Sequence, residues 1–342
     1  MPNSLTAGEI YVIVELDPRT RLETEYCKIG IVREKDERDS HTRAKEHQTG
    51  NPRELKVSAQ VKTKMVEAVE TTLHHLYAPQ RLSGEWFFMT ATERETMLDV
   101  ARDLSSRAET VASDAAKADE LRRSPSSGDA IEATEEALVV YERLVQARFR
   151  SDRICELTGR INALLAADIK EKGGKTKTGA LQKRKGREIF DDKGFNERYP
   201  ELWEAFSETK TEVSSARFTP EKSSAGTVDE DVLELGRELE AVERLESTEL
   251  KIAGAHLILL KCTAAEAMSL WEIDASENRL KVLCGTAPGI VGVCKWKREA
   301  KTKTIVDRAA LKAAHPEQYA EFVSQADDVI ATVIEKSHGF QH

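Results

Sequence analysis

Gly8–Leu16 reads GEIYVIVEL and Tyr26–Val32 reads YCKIGIV, two β-rich runs separated by the polar DPRTRLETE, which turns at Asp17-Pro18. Apolar residues in short runs bounded by turn formers predict a β-hairpin. From Lys35 to His47 the charge is dense and the pattern helical, with Arg43 and His47 one turn apart; Gly50 is expected to stop that helix and Pro52 to prevent its restart. Leu55–Val61 alternates apolar and polar residues, the pattern of a half-buried third strand. Met65, Val69, Leu73 and Leu76 then mark one face of a helix, on which Glu70 and His74 share a second face. The unit closes on LSGEWFFMT, in which Trp86 is expected to anchor the core. Strand, strand, helix, strand, helix in this order predict a small three-stranded α+β unit over residues 1–90.

The composition bounds what this unit belongs to. The chain has 342 residues, enough for two or three domains, with 40% hydrophobic and 32% charged side chains, a polar-surfaced globular balance. The net charge of −9 excludes a protein that coats nucleic acid by bulk charge, so phosphate contacts must come from local basic patches. Cys27, Cys155, Cys262, Cys284 and Cys294 form no CxxC pair and no structural-zinc spacing, the pattern of free thiols in a reducing cytoplasm. MPNSLTAGEIY lacks the basic and apolar regions of a signal peptide, and AGAHLILL is too short for a membrane span, so a cytoplasmic location is expected.

Beyond residue 90, Thr92–Arg123 reads as a long polar helix with a thin apolar stripe, an expected connector over 91–129 that ends at SPSSGD. Ala130–Ile169 is a second helical stretch, and the two are expected to form an antiparallel pair, a coiled coil or the seam of a homo-oligomer through 92–169. The remainder contains an internal repeat. IFDDKGFNERYPELWEAF from Ile189 matches IVDRAALKAAHPEQYAEF from Ile305 without a gap. Asp191 and Asp307 are placed to cap helices, and Pro200 and Pro316 suit first helical turns. Basic segments precede the copies: Lys183, Arg184, Lys185 and Arg187 before the first; Lys295, Lys297, Arg298, Lys301 and Lys303 before the second. We therefore expect two tandem small α+β modules, 130–207 and 233–342, joined by a flexible linker over 208–232 that is rich in Ser, Thr and Glu.

The first ninety residues resemble the GIY-YIG nuclease superfamily, in the branch where the second motif reads KIG, here Lys28–Gly30, and where a GEWF-like strand follows, here Gly84–Phe87. The resemblance implies a phosphodiesterase site in which Glu70 holds a single Mg²⁺ or Mn²⁺ and Arg43 faces the phosphate. Tyr11 corresponds to the first-motif tyrosine, and His47 falls where the family places a residue near the nucleophile. Lys28 takes the place of the second-motif tyrosine, which leaves the general base open between it and its neighbours; Tyr26 is expected on the same strand face. A single carboxylate suits Mg²⁺, which keeps most of its waters. The basic strand, capping Asp and Pro-Glu pattern of the repeats is similar to C-terminal accessory segments of phage lambda-exonuclease-like recombinases.

The expected function is metal-dependent endonucleolytic cleavage of DNA. The basic residues Lys183, Arg184, Lys185, Arg187, Lys295, Lys297 and Arg298 would bind or select that DNA. The alternatives are a non-catalytic nucleic-acid-binding or regulatory protein that keeps the fold, and an interaction scaffold built on the long helices. Two other signals carry no chemistry. GGKTKT at Gly173 has Ile169 where a phosphate-binding loop needs its first Gly. His74 and His75, adjacent on a helix, diverge by about 100° and cannot share a metal.

Overall fold

The computed structural model describes residues 6–36, 38–49, 51–213, 217–223 and 226–337. The predicted hairpin is present: β1 (Gly8–Leu16) and β2 (Glu23–Arg33) pair antiparallel with Tyr11 opposite Gly30 and Ile13 opposite Lys28. Asp17 makes the turn, its carboxylate accepting from the backbone N–H of Thr20 at 2.7 Å and Arg19 at 3.0 Å. The helix α1 (Ser40–Gln48) is capped by Asp39, which accepts from Thr42 N–H at 2.6 Å. Gly50, its expected stop, lies outside the described residues. Next come β3 (Leu55–Thr63), on the other edge of β1, and α2 (Val66–Leu76). Two short strands, β4 (Arg81–Ser83) and β5 (Trp86–Phe88), enlarge the expected three-stranded sheet to five in the order β3-β1-β2-β5-β4.

Strand alternation gives this sheet two buried faces. Ile10, Val12, Val14, Cys27 and Ile29 pack under α2 and α3 (Ala91–Arg122), while Tyr11, Ile13 and Val32 pack under α1 with Ala44, Leu55 and the partly buried Trp86. The helix α3 starts with a capping box between Thr90 and Glu93, and its Met97, Leu98, Ala101, Leu104 and Ala108 belong to the core of the N-terminal unit. A helix expected as a connector from residue 91 is, over its first half, a wall of that unit. The same core takes in Trp271 from α8 (Thr248–Cys284), which follows α7 (Glu230–Glu243).

The antiparallel partner of α4 (Glu135–Glu171) is α8, tied to it by Arg279–Glu136 near one end and Ser151–Glu266 further along. The apolar face of α4 is filled within the chain: Val140 and Leu144 pack with Leu280 and Cys284, and Ile154, Ile161 and Leu165 pack with Leu239, Ile258 and Leu259. The stripe expected to seam a homo-oligomer is therefore occupied. Among the described residues no helix is long and apolar enough to cross a membrane.

From the end of α4 the chain runs through β6 (Lys175–Thr176), β7 (Gly179–Arg184), β8 (Glu188–Phe190), α5 (Asp192–Arg198), α6 (Pro200–Ala205), β9 (Ser207–Val213) and β10 (Thr219–Pro220). After α8 come β11 (Gly289–Ile290), β12 (Cys294–Lys295), β13 (Ala300–Val306), α9 (Arg308–Ala314), α10 (Pro316–Ala320), β14 (Val323–Gln325) and β15 (Val329–Ile334). The repeat is structural as well as sequential. Asp191 and Asp307 cap α5 and α9 in the same way, accepting from Gly194 N–H at 3.0 Å and Ala310 N–H at 2.9 Å, and Pro200 and Pro316 open α6 and α10.

The copies do not stand side by side: each pairs its strands with the other. β8 pairs with β14, Phe190 opposite Val323, and β13 pairs with β9, Val306 opposite Ser207. Asp191 N–H donates to Phe322 O, and Asp307 N–H to Phe206 O, both at 2.9 Å. The pairing is thus pseudo-twofold. Phe195 and Leu311, aligned in the repeat, are both fully buried at its centre, and Arg308 ion-pairs with Asp192, its own counterpart. Residues 207–213, expected within or beside a flexible linker, form a full strand because β13 supplies a partner about ninety residues later; residues 214–216 and 224–225 of that linker lie outside the described residues.

Candidate active site

Tyr11 is the centre of the site, and Gly30 is what admits it. A Cβ on Gly30 would lie 2.5 Å from the Tyr11 hydroxyl oxygen and 2.6 Å from the ring carbon bearing it, so the phenol lies across the strand only because position 30 has no side chain. Tyr11 is 1% exposed. Burial pushes its phenol pKa up; Arg43, hydrogen-bonded to it, pulls the other way without prevailing. Arg43 reaches there from α1 and is held by Glu46 at 2.5 Å.

His47, one turn beyond Arg43, has its pKa lowered by burial and then by the nearby charges of Lys28 and Arg43. Its Nε2 is buried and has no hydrogen-bond partner among the described residues. Lys28, 6% exposed on β2, is ion-paired with Glu85. Burial raises the Glu85 pKa, but the Lys28 ammonium overrides it and holds the carboxyl below its usual range. Tyr26 is on the expected face, yet it packs edge-on against Phe88, with ring centroids 5.4 Å apart.

Glu70 arrives from α2. Burial first, and then the field of Glu85, push its carboxyl up to about 7, against the opposing pull of Arg33 and Lys28. A carboxylate in that condition lacks a sufficient cation. Glu67, one turn earlier, has its own partner in Arg33 at 2.7 Å. Tyr11, Arg33, Arg38, Arg43, Glu70 and Glu85 line one cleft of about 300 Å³. A larger groove of about 1140 Å³ runs beside α4 and α8, in which Arg107 pairs with Glu272 and Arg150 with Asp229.

Three of the five expected catalytic residues, Tyr11, Arg43 and Glu70, line this cleft from β1, α1 and α2; His47 and Lys28 stand behind it, near enough for their charges to act on Glu85 and Glu70. Three more were not singled out from the sequence: Glu85, Arg33 and Arg38. Glu85 sits in the GEWF segment read only as a strand, after Gly84 at φ +56°, and its backbone carbonyl accepts from Ile29 N–H at 3.1 Å. His74 is not a metal ligand; its Nε2 donates to Ile29 O at 3.1 Å and steadies the KIG strand from behind, while burial drives its pKa down to about 4.

No three His, Cys, Asp or Glu side chains among the described residues form a metal cage. What the cleft offers is one under-compensated carboxylate, Glu70, with polar walls, which fits a hydrated Mg²⁺ better than a desolvated soft metal.

The expected nucleic-acid residues divide. Arg184, Lys185 and Arg187 are exposed, and Lys183 is paired with Asp328 at 2.8 Å. Lys295 and Lys297 are paired with Glu221 at 3.0 Å and Glu299 at 2.6 Å. Arg298 is a correction. It is 1% exposed, stacks 4.1 Å over Trp296, and donates to Leu121 O at 3.1 Å and Gly285 O at 2.8 Å. Trp296 and Arg298, two apart in the segment after β12, are both buried, so Arg298 ties that segment to α3 and the end of α8 and is closed to DNA.

No curated protein and no solved structure matches the chain. Residues 8–104, the stretch that contains every residue of this cleft and the half of α3 that closes its core, match the T5orf172 domain.

Proposed function

We propose that the N-terminal unit is a metal-dependent endonuclease of the GIY-YIG type acting on DNA. The observation that supports this is the meeting of Tyr11, Arg43 and Glu70 in one cleft, with Gly30 shaped to admit the phenol and Lys28 and His47 close behind. The family matched over 8–104 is associated with GIY-YIG/HNH-like phage nuclease domains, which supports the same reading.

A divalent cation on Glu70 would supply charge stabilisation to the scissile phosphate and a more acidic bound water. The chain's own groups do the rest. Arg43 neutralises a non-bridging oxygen as charge builds there. His47, its pKa lowered and its Nε2 without a partner among the described residues, is the group we assign to take the proton of the attacking water. Tyr11 stays protonated and donates a hydrogen bond, and Lys28, ion-paired with Glu85, fixes that carboxylate at the wall of the cleft.

Plasmid nicking with Mg²⁺ or EDTA tests the proposal. Glu70→Gln and Arg43→Ala should each lose about 10²–10³ in rate, the usual value of one charge-stabilising group, while Glu67→Ala stays near wild type. Cleavage absent from the wild type with Mg²⁺ and Mn²⁺, with DNA binding retained, would establish the binding-only alternative instead.

A further inference from the structure

The two strand-exchanged copies form a handle on the long helices. One ribbon, β7–β8 against β15–β14, leaves the end of α4, where Ile334 packs on Leu165 and its neighbours. The other, β13 and β12 against β9 and β10, leaves the end of α8, where Cys294 and Trp296 pack on Leu280. α4 has 37 residues, about 55 Å at 1.5 Å per residue. Each ribbon is about 40 Å long at 3.3 Å per residue. They meet at an aromatic hub whose buried and packed members all come from the two repeat copies, Phe190, Phe195, Tyr319 and Phe322 among them.

The ribbon β9/β13 buries neither face: apart from its end residues every side chain is exposed. An isolated two-stranded ribbon is marginal in water, and this one holds Lys303 directly opposite Lys210, whose own ammonium is paired with Glu208 at 2.8 Å. The other face is a threonine ladder, Thr302 opposite Thr211 and Thr304 opposite Thr209. Extending the repeat alignment upstream pairs Lys185 with Lys301 and Arg187 with Lys303. All four are exposed and none has an ion-pair partner among the described residues, whereas Lys183, Lys295 and Lys297 are each neutralised by a carboxylate.

We infer that the handle grips a DNA duplex, its two ribbons contacting the phosphate backbone through the pseudo-twofold pairs Lys185/Lys301 and Arg187/Lys303. The inference rests on the proposed function for the class of partner and adds the surface and the mode. The lysines and threonines of β9/β13, with Glu212 opposite Lys301 and Glu208 opposite Ile305, make a polar surface whose one exposed large apolar residue is Ile305, which suits a phosphate-lined groove and not the apolar centre of a protein interface. A two-stranded ribbon fits the roughly 12 Å major groove of B-form DNA. Single strands are held by stacking on aromatic rings, and the aromatic rings of the repeat copies are gathered in the hub.

The test is fluorescence anisotropy in EDTA with a labelled duplex of about 30 base pairs, roughly 100 Å at 3.4 Å per pair. Full-length wild type, K185A/R187A, K301A/K303A and the quadruple variant are compared across salt, with thermal melts as the folding control. Each double variant should flatten the log–log salt slope by about 2 and weaken binding by up to about eightfold per lost contact at 0.1 M salt. The quadruple should lose the product, and K185R/K301R/K303R should bind as wild type. A quadruple variant with wild-type affinity and slope overturns the inference, as does a loss confined to one ribbon or equal loss on a single strand of the same length. Tighter binding to duplex RNA, whose deep major groove excludes a ribbon, overturns the mode. Because cleavage is not read, a catalytically dead protein that still binds through both ribbons would sink the nuclease reading and leave this one standing.

Discussion

Acid should loosen the site through one residue, His74. Its ring is buried against Phe87, 5.3 Å between centroids, and its Nε2 proton is given to Ile29 O, so the fold holds the neutral imidazole. The charged groups that face it are Arg81 and Lys28, which oppose protonation, and Glu85, which favours it; burial outweighs them all. The pKa is about 4 in the fold and about 6.5 in an unfolded chain. As pH falls, the unfolded chain takes up the proton first, so stability is complete above about pH 6.5 and is lost progressively down to about pH 4. At about pH 5 these two values give a loss of about 2 kcal/mol. Replacing His74 by Gln keeps a donor for Ile29 O and removes the titration. Urea unfolding at about pH 7.5 and about pH 5 should show the variant less stable than wild type at the higher pH and the gap narrowed by about 2 kcal/mol at the lower. An NMR titration of the His74 ring with its midpoint near the unfolded value, or a gap that ignores pH, would refute the argument.

Three further outcomes follow from particular contacts. Gly30→Ala should cost about 1–3 kcal/mol in thermal melts by forcing the Tyr11 ring aside, and Tyr11→Ala should abolish most of that penalty in a double-mutant cycle. Asp191→Ala and Asp307→Ala should destabilise by similar amounts, about 1 kcal/mol each; a large inequality in denaturant midpoints would break the pseudo-twofold description. Arg298→Ala should lower the melting temperature, since several buried carbonyls lose their donor, while in folded protein the salt slope of DNA binding stays at the wild-type value.

What was legible in the sequence followed from where burial leaves a period. The hairpin and the capped helices of the repeat announced themselves because Ile10, Val12 and Val14, or Asp191 and Pro200, carry local signals. The ribbon β9/β13 did not, because a strand exposed on both faces has no apolar alternation, and SETKTEV reads as a linker until AKTKTIV is brought beside it. The full length of α8 was hidden for the opposite reason. It is covered by the N-terminal core at Trp271, by α4 and by α7, so its apolar residues fall on every side and no single stripe appears. In the site, Arg43 and His47 were singled out through the family resemblance, aided by their one-turn spacing on a helix. Glu85 was not, because its meaning is its pairing with Lys28 across strands. Arg298 misled because a Lys-rich run looks solvated.

The strand exchange explains why two weak repeats persist as one structure. β8 finds its only ladder partner among the described residues in β14, and β13 finds its own in β9, so neither copy completes a sheet alone. The hub closes only when Phe195 and Leu311 meet across the pseudo-axis. Between the copies lie α7 and α8, and α8 is also the wall on which α4 and the N-terminal core pack. The handle therefore cannot form before the helical rod has brought residues about 120 apart in sequence together, and each later ladder pair is won against a loop already closed. Ligand force on either ribbon is carried to both ends of the α4–α8 pair, one through Ile334 and the other through Trp296. The candidate active site rests on the same rod through Trp271, which makes that rod the one rigid element shared by the cleft and both ribbons.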